Sequence, residues 1–248
     1  MPIFALADTH LSHFRDKPMD IFGSRWTKHT QQIADNWDAT VTAQDTVVLP
    51  GDISWAMNLE EALPDFRFLA DLPGKKIISK GNHDYWWQTA GKITDFFQNH
   101  GIVGIELLHN NAYVAEDFVL CGTRGWYSET AAPSDTDFVK LQNREAGRLE
   151  MSLQYGQKIG SKADKIIEPL VFLHFPPVYG NFIFRGIIDV MHKYQVKRCF
   201  YGHIHGKYNA PQVTEFEGIS MYSVAADYLG FKPFLIETHS LESRKVNE

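Results

Sequence analysis

Apolar positions in the first hundred residues alternate between two periods. Residues 3–7, 45–49 and 75–79 are short β-branched or apolar runs and read as buried strands. Between them the spacing becomes helical. Ile33, Trp37 and Val41 recur at fourfold spacing and predict a helix over 28–42. Leu59, Leu63, Phe66 and Leu69 form one stripe of a second helix over 59–70, with Pro64 putting its first turn in question. A third helix is expected over 88–99. This β-α-β-α-β-α order implies a mostly parallel, covered sheet.

The pattern then changes. Residues 102–122 hold three short apolar runs broken by His109-Asn110-Asn111 and Glu116-Asp117, the signature of a meander. Residues 126–136 read as a polar loop, followed by a charged helix over 137–155. A strand over 166–173, interrupted by Pro169, a short helix over 184–194 and a strand over 196–201 come next. Strands and turns continue to residue 237. With no repeat and no low-complexity linker, the expectation is one domain over 1–248, built on two sheets.

Composition narrows the class. The 248 residues are 44% hydrophobic and 22% charged, enough for a sizeable core in a globular chain. The net charge of −6, with no basic tract, does not favour binding nucleic acid through its backbone phosphates. Cys121 and Cys199 both lie in apolar runs and are expected to be buried, inert thiols. No apolar run approaches the ~20 residues of a membrane span. The amino-terminal run stops at Asp8 without a basic n-region, so the expectation is a soluble cytoplasmic protein without a membrane partner. Oligomeric state is not legible.

The chemistry gathers where the apolar runs end. Five strand tips carry Asp8 and His10; Asp52; Asn82 and His83; His174; and His203 and His205. Carboxyl ends of strands are where α/β folds place ligand sites. Residues two apart in a strand point the same way, so Asp8 with His10, and His203 with His205, are expected to converge. Imidazole and carboxylate without thiolate suit Mn, Fe, Zn or Ni. About seven donors exceed one tetrahedral ion and match two ions sharing a carboxylate. Singly, each has an ordinary explanation: Asp8 as a cap, Gly51-Asp52 as a turn, His174 as a structural histidine. Their joint occurrence at successive strand ends decides against those. His13, close to His10, stays open as a site residue.

The series Asp8-x-His10, Gly51-Asp52, Gly81-Asn82-His83-Asp84, His174 and Gly202-His203-x-His205 resembles the calcineurin-like metallophosphoesterases. The resemblance spans residues 3 to about 237. It implies an α/β (α+β) fold, a four-layer αββα sandwich of two mixed sheets flanked by helices, which would account for the meander. It implies that Asp8, His10 and His205 hold one metal, that Asn82, His174 and His203 hold the other, and that Asp52 bridges them. His83 matches the residue acting near the leaving group, and Asp84 is placed to orient its ring. The implied cofactors are two divalent or transition-metal ions, Mn²⁺ or Fe first, with Zn²⁺, Ni²⁺ or Mg²⁺ as alternatives. The implied reaction is in-line attack of a metal-bridging hydroxide on a small phosphomonoester or phosphodiester.

Departures within the family narrow the substrate. The protein serine/threonine phosphatases carry an arginine soon after Gly-Asp, and Ile53-Ser54-Trp55-Ala56-Met57 has none. Purple acid phosphatases place a tyrosine where Trp55 stands. Trp55, Met57, Trp86, Phe175 and Tyr179 are candidates for a rim that stacks on a base or organic leaving group. Arg124 and Arg185 are candidate phosphate clamps. The competing readings are a non-catalytic interaction scaffold, disfavoured because every ligand type is retained, and a nuclease, disfavoured by the absent basic face.

Overall fold

The central strands of both sheets are buried on both faces because each separates two cores. The computed structural model describes residues 1–15, 17–126, 136–162 and 167–237. In chain order the strands are β1 (Ile3–Ala5), β2 (Thr46–Pro50), β3 (Lys75–Ser79), β4 (Ile105–Leu107), β5 (Ala112–Ala115), β6 (Phe118–Thr123), β7 (Glu168–Leu173), β8 (Val178–Tyr179), β9 (Phe182–Ile183), β10 (Arg198–Tyr201), β11 (Val213–Phe216), β12 (Ile219–Ser223) and β13 (Phe234–Ile236). The helices are α1 (His29–Asp38), α2 (Leu59–Asp71), α3 (Ala90–Asn99), α4 (Thr136–Gly160) and α5 (Arg185–Lys193).

One sheet has the order β13-β1-β2-β3-β4, parallel except for β13 at its edge. The other has the order β11-β12-β10-β7-β6-β5, with parallel centre strands and antiparallel edges. A two-stranded hairpin, β8-β9, stands apart. Side-chain alternation sorts the core into three layers. Phe4, Val47, Leu49 and Ile78 face α1–α3, together with Trp37, Phe66 and Ile93. Ile3, Ala5, Val48 and Ile77 face Leu120, Leu170, Phe172 and Phe200 of the second sheet. Val119, Cys121, Val171 and Cys199 face α4 and α5. Helices, sheet, sheet and helices make the αββα sandwich.

Several expectations change in detail. Residues 102–122 are not one meander: β4 pairs parallel to β3, and the chain crosses at Leu108 to form the β5-β6 hairpin of the other sheet. Pro64 does not disturb the start of α2, whose Asn58 cap accepts the Glu61 N–H at 3.0 Å while Leu59, Ala62, Phe66 and Leu69 anchor the helix. Pro169 sits inside β7 at no cost to the ladder. Glu168 directs its N–H to Asp117 O, just before β6, so Pro169 faces the β10 side, where pairing begins only at Leu170. Helix α4 runs past residue 155 because Gly156 lets it lie close on β6; a Cβ there would meet Val119 Cγ1 at 2.6 Å and Cys121 Sγ at 2.8 Å. The polar loop expected over 126–136 lies almost wholly outside the described residues. Cys121 and Cys199 are free and buried, and burial pushes the Cys121 thiol up to about 12. No helix among the described residues is long and apolar enough to cross a membrane.

Lys76 is the anomaly of the first sheet. It is 1% exposed on a central strand. Its Nζ donates to Leu72 O at 2.6 Å and Gly74 O at 2.8 Å, closing the open carbonyl end of α2. Burial lowers its pKa from 10.5 to about 8. Between those values the unfolded chain holds a proton that the native chain has released, so this group adds stability as pH rises through the window. Relative to Lys76→Met, the wild type should gain roughly 2 kcal/mol between pH 8 and 10 in urea unfolding. Equal pH dependence of the two proteins would contradict the assignment.

Candidate metal centre

The first strand is shorter than its apolar run, and the difference builds the site. After Ala5 the chain leaves the ladder. Leu6 N–H still bonds Val48 O, but Ala7 N–H turns to Val224 O and Ala7 O accepts from Ala226 N–H, stitching one sheet to the other. Asp8 N–H then bonds Gly51 O, and His10 N–H bonds Asp52 O. Asp8 (φ 60°), His10 (φ 45°), Asp52 (φ 53°) and His203 (φ 70°) all take left-handed backbone. For L-residues that costs roughly 1–2 kcal/mol each and persists only where the surroundings impose it. Convergence of Asp8 with His10 therefore comes from turned backbone beyond the strand, not from strand alternation.

Glycine makes the crowding possible. A Cβ on Gly81 would lie 2.1 Å from Asp52 Oδ1, one on Gly51 2.7 Å from His174 Nδ1, and one on Gly202 2.4 Å from Asp8 Oδ2. Each glycine of the three motif blocks is thus the surface on which a neighbouring site residue rests.

Two donor clusters result. Asp8, His10 and His205 form one; Asp8, Asp52 and His174 form the other. His10 Nε2 lies 3.3 Å from His205 Nε2, which is 3.5 Å from Asp8 Oδ1. His174 Nε2 lies 2.6 Å from Asn82 Oδ1 and 3.5 Å from Asp52 Oδ2. His203 and His205 do not share a point as their spacing suggested. His205 joins Asp8 and His10, while the His203 ring packs 5.2 Å from His174 and 4.4 Å from Phe175. The left-handed turn at His203 separates them. The His203 N–H is held by Asp8 Oδ2 at 2.9 Å.

Three of the four candidate imidazoles are held toward the neutral form that binds a cation. Burial, then neighbouring imidazoles, hold His10 well below the usual histidine range, and burial dominates for His174 as well. Burial and then His174 lower His203 to about 3. The one proton of neutral His174 sits on Nδ1, facing Pro50 O at 3.2 Å, which can only accept. Its Nε2 lone pair therefore points at the Asn82 oxygen, acceptor against acceptor, an arrangement that a cation between them resolves. His205 differs: burial opposes its charge, but Asp8 and Asp227 push it up to about 10. Burial, then the charges of Asp84 and Asp8, raise Asp52 well above the carboxylate range. Two carboxylates crowded beside imidazole lone pairs are the donor set expected of hard or borderline divalent ions.

Asp84 does not orient the His83 ring. It is fully buried, and its carboxylate accepts from the backbone N–H of Asp52, Ile53, Ser54 and Gly81 and from the Trp86 indole, at 2.7–3.2 Å. It binds the Gly51-Asp52 loop to the Gly81 loop. Trp86, expected at the rim, is buried beneath it against Phe66. His83 instead is half-buried, its N–H on Asp52 Oδ1 at 2.8 Å, its ring 4.4 Å from Trp55 and its Nδ1 3.4 Å from the Tyr85 hydroxyl.

Three residues escaped the sequence reading. Asp227 accepts from His205 Nδ1 at 2.9 Å, Gly206 N–H and the Tyr208 hydroxyl, and so aims His205 Nε2 inward. It follows the apolar end of β12, a position like those of the other tips. Lys17, from the irregular 11–27 segment, lies 3.1 Å from the Trp55 ring centroid, and Trp55 in turn stacks on His10. Tyr85 is exposed at the rim. His13 is not in the cluster; its Nδ1 meets Asp65 at 2.7 Å. Arg185 is no clamp, since its guanidinium is bidentate to Glu217 at 2.8 and 2.9 Å.

The fold and the donor clusters describe a metallophosphoesterase sandwich, and comparison with known proteins agrees. The family described as calcineurin-like phosphoesterase matches residues 1–207, and the chain belongs to it. That family typically binds divalent metals and acts on phosphate esters. No curated protein matches the chain. Among solved structures, TT1561 of Thermus thermophilus is similar at TM-score 0.56 and 10% identity, over 95% of this chain and 98% of that one. AQ665, a protein of unknown function from Aquifex aeolicus, has TM-score 0.49 and 16% identity, over 99% and 98%. GAP50 of Plasmodium, the anchor in the inner membrane complex, has TM-score 0.49 and 14% identity, over 92% and 72%. The first of these is a likeness of fold.

Asp84→Ala should strip one acceptor from five buried donors. A loss of about 3 kcal/mol or more is expected in denaturant unfolding, against about 1 kcal/mol for Trp86→Phe in its hydrogen-bonding part. A near-neutral Asp84→Ala would show that the two loops hold together without it.

Proposed function

We propose that this chain is a dinuclear-metal-dependent phosphoesterase acting on a small phosphomonoester or phosphodiester. The observation that carries this reading is the position of one oxygen. Asp52 Oδ2 lies 3.7 Å from His10 Nε2 and 3.5 Å from His174 Nε2, between the two donor clusters. Asp8 also borders both, but toward His174 it faces Nδ1 at 3.8 Å, the nitrogen turned to Pro50. Asp52 is therefore the better bridge. In this reading Asp8, His10 and His205 hold one ion, and Asn82, His174 and His203 hold the other. Oxygen and imidazole donors favour Mn²⁺ or Fe, with Zn²⁺, Ni²⁺ or Mg²⁺ as alternatives. Bound there, the ions supply Lewis acidity toward phosphoryl oxygens and a nucleophile at neutral pH.

The chain's own groups do the positioning. The His83 N–H pins Asp52 Oδ1, leaving Oδ2 to face the centre. Asp227 and Pro50 O hold the outer nitrogens of His205 and His174, so that both Nε2 atoms point inward. In this reading the His83 ring, half-buried beside Trp55 and Tyr85, is the donor to the leaving oxygen. The core shared between the sheets supports one domain over 1–248. Against the scaffold reading, every candidate ligand residue is retained in the sequence.

The test is an ester panel on metal-reconstituted protein, with bis-p-nitrophenyl phosphate beside p-nitrophenyl phosphate, and elemental analysis of the loaded chain. Two ions per chain and chelator-sensitive turnover are expected. Saturation at one ion with Asp52→Ala unaffected would remove the bridge. No turnover of any ester at two ions would favour the scaffold. His205, pushed up to about 10, carries a proton that the cation must displace. Apparent metal affinity should therefore climb with pH from 6 to 8, by up to about tenfold per unit.

His83→Ala separates catalyst from ligand. Metal content should stay near wild type while kcat falls by about 10²–10⁴-fold. The deficit should be smallest for p-nitrophenolate and larger for alkoxide leaving groups. His205→Ala should instead lose metal and recover partly in excess metal. Equal metal loss in both variants would make His83 a ligand.

A further inference from the structure

Beside the Asn82–His174 half of the centre lies a cavity of about 390 Å³ with a cationic wall. Lys80, Arg124, Arg144 and Arg148 line it, with His109 and Thr123. Chain connections tie it to the metal centre. Lys80 immediately precedes Gly81-Asn82. The Arg124 carbonyl accepts the N–H groups of His174 at 3.1 Å and Phe175 at 3.0 Å. The Arg124 guanidinium lies 5.5 Å from the Phe175 ring and 4.8 Å from the Trp126 ring.

Its charge is under-compensated. Glu145 is the carboxylate bonded into the group, accepting from Thr123 Oγ1 at 2.9 Å and Arg148 Nη1 at 2.6 Å. Arg124 Nε is buried without a hydrogen-bond partner. Neither Arg144 nor Lys80 has an ion-pair partner among the described residues. A half-buried guanidinium with an unused N–H, in a cluster of like charges, is costly until an anion enters. Forked guanidinium donors match phosphate geometry.

We propose that this cavity receives a second phosphoryl group of the substrate, so that the enzyme's substrates are organic esters carrying at least two phosphoryl groups. The inference rests on the phosphoesterase reading, in which the metal centre serves the scissile group. The cavity then measures what else the substrate carries, and explains how a chain of net charge −6 draws in a polyanion: the attraction is local.

The test compares adenosine 3′,5′-bisphosphate with adenosine 5′-monophosphate on the metal-loaded full chain. The bisphosphate should show a kcat/KM advantage of about tenfold or more, shrinking as salt rises. In Arg144→Glu, an exposed position on α4, that ratio should collapse toward one. Arg124→Lys, which keeps charge but loses the fork, should lower it partly. Separately, calorimetry of inorganic pyrophosphate with chelator-treated protein should show binding that weakens about tenfold in Arg144→Glu. Equal turnover of both nucleotides, or a preference that survives Arg144→Glu, overturns the proposal while the phosphoesterase reading stands. Pyrophosphate binding that depends on Arg144, without turnover of any ester, keeps the anion cavity and rejects the phosphoesterase reading. Absence of both binding and preference rejects the cavity.

Discussion

One buried carboxylate holds the centre of this protein together. Asp84 gathers N–H groups from Asp52, Ile53, Ser54 and Gly81, and the indole of Trp86, onto two oxygens. Those loops follow neighbouring parallel strands, β2 and β3, and would otherwise present unpaired donors at the sheet end. Asp84 is fully buried, and burial raises it to about 6 even against so many donors. The same bonds fix the turned backbone of Asp52. A fully buried carboxylate thereby sets the position of Asp52, whose Oδ2 faces both His10 and His174.

Backbone strain at the site is shared among its loops. Four site residues adopt left-handed backbone, and each is tied from outside its own loop: Asp8 to Gly51, His10 to Asp52, His203 to Asp8, and Asp52 to Asp84. The loops hold one another, so the cost of each turn is borne by bonds from its neighbours. Three glycines remove the Cβ atoms that would separate them. Leu6, bonded to Val48 of the first sheet, and Ala7, bonded to Val224 and Ala226 beyond β12 of the second, join the two sheets at this end. Geometry at the centre is thus a property of two sheets meeting, which no single strand supplies.

Electrostatics divides the site in two. On one side, buried neutral imidazoles and crowded carboxylates present lone pairs to a common space. On the other, Arg124, Arg144, Arg148 and Lys80 share a cavity with little counter-charge. The Arg124 carbonyl, which accepts the N–H groups of His174 and Phe175, links the two. The aromatic rim is narrower than expected: Trp55 faces the centre, while Trp86 is structural.

Much was legible from residue order. Strand periods, helix stripes and the Asp, His and Asn residues at the strand tips are local facts, because side-chain alternation and apolar spacing are written within a few residues. Those patterns announced two sheets, the helices over them and the donor set. What tertiary structure decided was everything that depends on long-range contact. β4 and β5 look alike as short apolar runs, yet belong to different sheets, since only packing chooses a strand's neighbour. His203 and His205 sit two apart, yet go to different sides, because a backbone turn held by Asp8 overrides alternation. Asp84 and Asp227 are common residue types whose local sequence gives no sign of what they hold. Those roles depend on donors brought to them from 19 to 32 residues away. A periodicity is encoded by neighbours in the chain, whereas a hydrogen bond across a sandwich is encoded only by the fold that closes it.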